Sequence, residues 1–137
     1  HLNNALYTYK IWIKRVERWE CGNMGYFDQK FHKREKKYRR NYEIDDSLYV
    51  RLEQLSTIYD ATVTDLVNAS LEHLIESEQI SLYKKAANDF SVTHTLLIRE
   101  SNLAGLEDLK AKYGVSIYKL VNIAIKNVLD EYDSQRR

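Results

Sequence analysis

DLVNASL at residues 65–71 and KLVNIAI at residues 119–125 share the triplet Leu-Val-Asn, and Asn68 recurs as Asn122, 54 positions later. Sliding the chain by that distance aligns residues 38–76 with 92–130 without a gap. Ile44 falls on Ile98, Ser47 on Ser101, Leu52 on Leu106, Glu53 on Glu107, Leu55 on Leu109 and Tyr59 on Tyr113. Where identity fails, apolar character is often kept, as at Leu74/Val128 and Ile75/Leu129. Register and periodicity kept together mark an internal repeat.

Each copy follows the same order. YRRNYEI (38–44) and VTHTLLI (92–98) alternate in the manner of a strand. Asp46 or Ser47, and Ser101, are the expected caps of a first helix carrying Leu48, Leu52, Leu55 and Tyr59, or Leu103, Leu106, Leu109 and Tyr113. Asp60 and Gly114 occupy a slot suited to left-handed backbone. Thr62 or Thr64, and Ser116, then open a second and more apolar helix. A single strand with two short helices buries too little to offset its chain entropy and leaves strand edges unpaired. The expected fold is therefore mainly α: two tandem β-α-α repeats forming an intramolecular pseudo-dimer around a two-stranded antiparallel ribbon, plus an N-terminal helical, basic extension. The expected divisions are 1–37 for that extension, 38–76 and 92–137 for the repeats, and 77–91 for the linker.

In the extension, Leu2, Ala5, Leu6, Tyr9, Trp12, Ile13, Val16 and Trp19 recur at helical spacing, with Lys10, Lys14, Arg15 and Arg18 mostly off that face. CGNMG (21–25) ends it. Residues 1–42 hold eleven Lys/Arg against four Asp/Glu, and the rest hold ten against sixteen. Such a basic arm on an acidic body points to a polyanionic partner. Lys33, Arg34, Lys36, Lys37 and Arg40 are its candidate contacts. The chain has no proline, which favours helices over turns. Cys21 is the single cysteine, so a zinc site and an internal disulfide are not expected, and a reducing cytoplasm is the expected location. No apolar run is long enough to span a membrane. His32, His73 and His94 are scattered, without paired carboxylates at matching spacing, and no Gly-rich phosphate loop is present. Neither an enzyme, a metal site nor a cofactor is expected.

IDDSLYVRLEQLSTIYDATVTDLVNASLEHL (44–74) resembles the ribbon-helix-helix (Arc/MetJ/CopG-like) DNA-binding family, and the second copy repeats the pattern. Two copies on one chain are similar to TraY-like proteins of conjugative plasmids. The resemblance implies a ribbon inserted in the major groove of double-stranded DNA. It makes Arg39, Asn41, Glu43, Thr93, Thr95 and Leu97 the base-reading face, with Tyr42, Ile44, Leu96 and Ile98 turned to the core. A register slipped by one residue would instead present Arg40 and His94. The resemblance also implies phosphate binding by backbone N–H groups at Thr62, Val63 and Thr64, and at Ser116, Ile117 and Tyr118. The family often has Pro at the positions of Asp45 and Arg99, and Gly at that of Asp60. The implied role is a relaxosome accessory factor at a plasmid transfer origin, also autoregulatory. A dedicated repressor or a centromere-binding partition protein is the alternative. A relaxase or other protein partner is expected through residues 2–20, and the monomeric pseudo-dimer is expected to be capable of associating on DNA. An antitoxin fits poorly, because DEYDSQRR (130–137) is short for a toxin-binding tail.

Overall fold

The computed structural model describes residues 35–136; residues 2–20, Lys33 and Arg34 lie outside that range. The elements run β1 (Lys37–Asp45), α1 (Asp46–Tyr59), α2 (Val63–Ser77), β2 (Ser91–Arg99), α3 (Glu100–Tyr113) and α4 (Ile117–Gln135). The strands pair antiparallel from Lys37 opposite Arg99 to Asp45 opposite Ser91, with Asn41 opposite Thr95 at the centre. Alternation sends Tyr42, Ile44, Leu96 and Ile98 inward, and all four are buried. Beneath them lie Leu52 of α1, Val67, Leu71 and Leu74 of α2, Leu106 and Leu109 of α3, and the broad apolar face of α4 from Leu120 to Leu129. Among the described residues no helix is long and apolar enough to cross a membrane.

The order β1-α1-α2-β2-α3-α4 corrects the expected fold of two tandem β-α-α repeats closing as a pseudo-dimer. The described residues form one continuous domain around one core, in which neither half is a structural unit. Backbone groups at each strand–helix junction are completed from across the sequence. The Asp46 N–H donates to the Phe90 carbonyl (2.7 Å), and the Glu100 N–H donates to the Lys36 carbonyl (3.0 Å). The segment between α2 and β2 is integral, since Ile80 and Tyr83 pack on the core. The two halves also differ in content: α2 spans 15 residues and α4 spans 19.

Leu-Val-Asn recurs because each asparagine ties a helix to the distant strand. Asn122 Nδ2 donates to the Glu43 carbonyl (3.0 Å) and to the Tyr118 carbonyl (2.8 Å) of its own helix, while its Oδ1 accepts from the Asp45 N–H (2.9 Å). Asn68 does the same with the carbonyls of Leu97 (2.9 Å) and Thr64 (3.0 Å) and the Arg99 N–H (3.0 Å). Both side chains are buried, so these bonds satisfy backbone groups that water does not reach. Asn68 also accepts from Asn102 Nδ2 (3.0 Å), whose counterpart position in α1 is Leu48.

The first helix of each half begins earlier than expected. The capping positions are Asp45 and Arg99, and neither side chain makes a capping bond. Carboxylates from outside the helices act instead. Asp89 accepts from the Ser47 N–H (3.2 Å) and hydroxyl (2.6 Å), and Glu35 accepts from the Ser101 N–H (2.7 Å). The Ser47 hydroxyl holds the Asp89 carboxyl below its usual range. The second helices are capped locally: Thr62 Oγ1 accepts from the Asp65 N–H (3.0 Å), and Ser116 Oγ from the Lys119 N–H (3.3 Å). Asp60 (φ 53°) and Gly114 (φ 66°) take the left-handed conformation that ends α1 and α3.

Asp45 is fully buried and has hydroxyl partners in three parts of the chain. Ser91 (2.6 Å) and Tyr118 (2.7 Å) donate to Oδ1, and Tyr83 donates to Oδ2. Burial pushes both the Tyr83 and Tyr118 phenols up, so both remain protonated donors at neutral pH. The cluster fastens the end of β1 to the connection before β2, to β2 itself and to α4.

At Gly105 α3 comes close to Ile75 of α2. A Cβ there would stand 2.4 Å from Ile75 Cδ1 and 2.8 Å from its Cγ1. Gly105→Ala is expected to cost about 1–3 kcal/mol through overpacking, read from the urea midpoint. In an Ile75→Ala background the same substitution should cost less; an unshifted midpoint in the single variant would contradict the close approach.

Candidate nucleic-acid interface

Alternation leaves one face of the ribbon in water. Arg39, Asn41, Glu43, Thr93, Thr95 and Leu97 are all exposed on it. Register sets them in three cross-strand pairs: Arg39 opposite Leu97, Asn41 opposite Thr95, and Glu43 opposite Thr93. The six residues therefore share one narrow surface. On the opposite face His94 stacks on Tyr49 of α1, with ring centroids 3.7 Å apart, and Leu96 is buried. Arg40 lies on that second face, opposite Leu96 and beside the central pair, and its guanidinium sits 5.6 Å from the Tyr38 ring centroid.

The central pair is joined. Thr95 Oγ1 donates to Asn41 Oδ1 at 2.6 Å, which orients the amide so that its Nδ2 faces away from that bond. The amide oxygen keeps a second lone pair, so the side chain retains both a donor and an acceptor. Glu43 and Leu97, at matching positions 54 residues apart, give the two ends of the face opposite character. The backbone carbonyls of those same two residues are the ones held by Asn122 and Asn68. The surface is thus fixed from behind at both ends.

Lys36 and Lys37 are exposed at the start of the ribbon and Arg40 near its middle; Lys33 and Arg34 lie outside the described residues. At the second helices, Thr62 and Ser116 are exposed caps, while Val63, Thr64, Ile117 and Tyr118 are half-buried. The first N–H groups of any helix lack partners within it, so both ends have donors and a partial positive charge. Their chemistry differs. Asp65 sits in the first turn of α2, where its carboxylate competes with an incoming anion, whereas α4 has Lys119 in that turn and no acidic residue. The Tyr118 hydroxyl is engaged by Asp45, which leaves its backbone N–H as its contribution.

Three carboxylates that fix this surface, and one bond across it, carry no local signal in the sequence. Glu35 and Asp89 cap helices from a distance, and they also match at the 54-residue offset, upstream of the aligned stretch. Asp45 appeared only as a substitute for proline, and the Thr95–Asn41 bond depends on strand register. No protein-family model, curated protein or solved structure matches the chain.

Proposed function

We propose that this chain binds double-stranded DNA by laying the Arg39–Leu97, Asn41–Thr95 and Glu43–Thr93 pairs in the major groove. One observation carries the reading: six exposed side chains with base-recognising chemistry occupy one face of a two-stranded ribbon whose other face is packed on helices. A ribbon of this width fits the major groove, and the minor groove is about half as wide. Arg39 suits guanine O6 and N7, Asn41 adenine, Glu43 the cytosine amino group, and Thr93, Thr95 and Leu97 the thymine methyl. The N–H groups at Ser116–Tyr118 and at Thr62–Thr64 hold phosphates and set register. Lys119 makes the α4 end the stronger of the two, and Asp65 weakens the other.

Because the matching positions of the two strands differ (Arg39 and Thr93, Asn41 and Thr95, Glu43 and Leu97), the bound site is non-palindromic. The resemblance to the ribbon-helix-helix family supports this mode of binding, and its TraY-like form supports a role as an accessory factor at a plasmid transfer origin. Selection of fragments from a random duplex pool by the full chain tests both parts. Enrichment of one asymmetric sequence is expected, and recovery of the starting pool would end the proposal. A selected sequence lying inside a transfer origin supports the accessory role; one found solely beside the protein's own gene supports a repressor.

The exposed cations contribute differently from the ribbon. Changing Lys36, Lys37 and Arg40 together to Ala is expected to weaken binding to all duplexes alike. It should also flatten the plot of log affinity against log salt by about 2.7, near 0.9 for each phosphate no longer neutralised. An unchanged slope would show that these side chains remain in solvent.

A further inference from the structure

Away from the ribbon, an apolar groove of about 240 Å³ opens between α1, α2 and α4, lined among others by Leu55, Tyr59, Leu66, Ala69, Val128 and Tyr132. The matching surface 54 residues on is closed. There Leu109, Leu120 and Ile123 are 3%, 0% and 2% exposed, and the chain leaving α2 lies across α3 and α4. Glu78 is held by Lys112 (2.7 Å) and Tyr113 (2.6 Å), the Gln79 carbonyl accepts from Asn127 (3.0 Å), and Ile80 packs on the core. On the open side α4 continues as helix to Gln135, and Tyr132 meets Tyr59 edge-on at 6.2 Å. Leu55 and Leu66 stay half-buried, Ala69 is exposed and Tyr59 is 52% exposed. One half is covered by its own chain, and the other lacks that cover among the described residues.

We infer that this groove is the docking site of residues 2–20 of the same chain. The segment has the required character: Leu6, Tyr9, Trp12, Ile13, Val16 and Trp19 recur at helical spacing, with Lys14, Arg15 and Arg18 mostly off that face. Charge is complementary on the α2 side, away from Arg136, whose guanidinium lies 4.6 Å from the Tyr132 ring centroid. α2 carries Asp65, Glu72 and Glu76 with no lysine or arginine, and Glu131 of α4 lines the groove. The volume exceeds the roughly 150 Å³ cavity that accepts benzene, so an indole or phenol ring fits. Length also permits it: residues 21–34 reach up to about 46 Å when extended, several times the ~13 Å radius of gyration of a domain of about 100 residues. The inference stands apart from the DNA-binding proposal.

Trp12 and Trp19 are the chain's two tryptophans, so indole fluorescence of the full chain reports the segment alone. The expected result is blue-shifted emission, shielded from acrylamide and independent of protein concentration. Ala69→Arg places bulk and positive charge in the groove and should shift emission to the red and raise quenching, while Ala69→Ser leaves both unchanged. Lys14→Glu with Arg15→Glu, which touches no core residue, should do the same as Ala69→Arg. Solvent-like emission in the unaltered chain, or emission unmoved by both sets of changes, would overturn the inference. So would a blue shift that develops only as concentration rises, which would place the segment on a second copy.

Discussion

Asn122→Leu is expected to lower folding stability by roughly 2–6 kcal/mol, because it leaves the Asp45 N–H and the Glu43 carbonyl without partners at about 1–3 kcal/mol each. Leucine keeps the branched outline of asparagine and suits the apolar surroundings, so most of the loss comes from the two orphaned backbone groups. Asn122 is fully buried and so is Asp45, which keeps water from replacing the bonds at the strand end. Against a total of about 5–15 kcal/mol for a domain, this is a large share. Urea unfolding checks it through a lower midpoint at unchanged slope. Asn122→Asp refines the test: it retains an acceptor for the Asp45 N–H but sets a carboxylate oxygen against the Glu43 and Tyr118 carbonyls. A midpoint for Asn122→Leu within error of the unaltered chain would show that the asparagine is not what holds β1 to α4.

Arg39→Ala is expected to weaken binding to the selected duplex by about 5–150-fold, the equivalent of about 1–3 kcal/mol for a bidentate base contact. Random duplex should be affected far less, because one charge is removed there and no base is read. The geometry favours Arg39 for this task. Leu97 stands opposite and offers no acceptor, so the guanidinium has no competing cross-strand partner in its pair. Arg39→Lys separates the two contributions, since it keeps the charge and gives up the planar fork. Competition titrations of the three proteins against both duplexes provide the check. Equal weakening on the two duplexes would remove Arg39 from base recognition.

The parts of this fold legible in the sequence are those set by local pattern. Alternation in 38–44 and 92–98 identifies both strands, three- and four-residue spacing identifies the helices, and Asp60 and Gly114 signal their turns. The parts that were not legible depend on partners remote in sequence. Glu35 and Asp89 look like surface charges until the ribbon carries each to the start of a helix in the other half. Asp45 reads as a polar junction residue, and only closure brings the hydroxyls of Tyr83, Ser91 and Tyr118 onto its carboxylate. The tandem-unit reading failed for the same reason. Repetition is a property of residue types along the chain, whereas the shared core and crossed hydrogen bonds make one domain of the whole run. The likeness of Asn68 and Asn122 was visible from the start, but its cause, four backbone groups on distant strands, was not.

Treatment of the selected duplex with dimethyl sulfate before binding tests the mode of recognition most directly. The reagent methylates guanine N7 in the major groove and adenine N3 in the minor groove, so one reaction probes both. Guanines methylated at N7 are expected to be depleted from the bound fraction across the few base pairs beneath the ribbon, with adenine N3 adducts retained. Interference confined to adenine N3, or a bound fraction indifferent to both, would contradict a ribbon seated in the major groove.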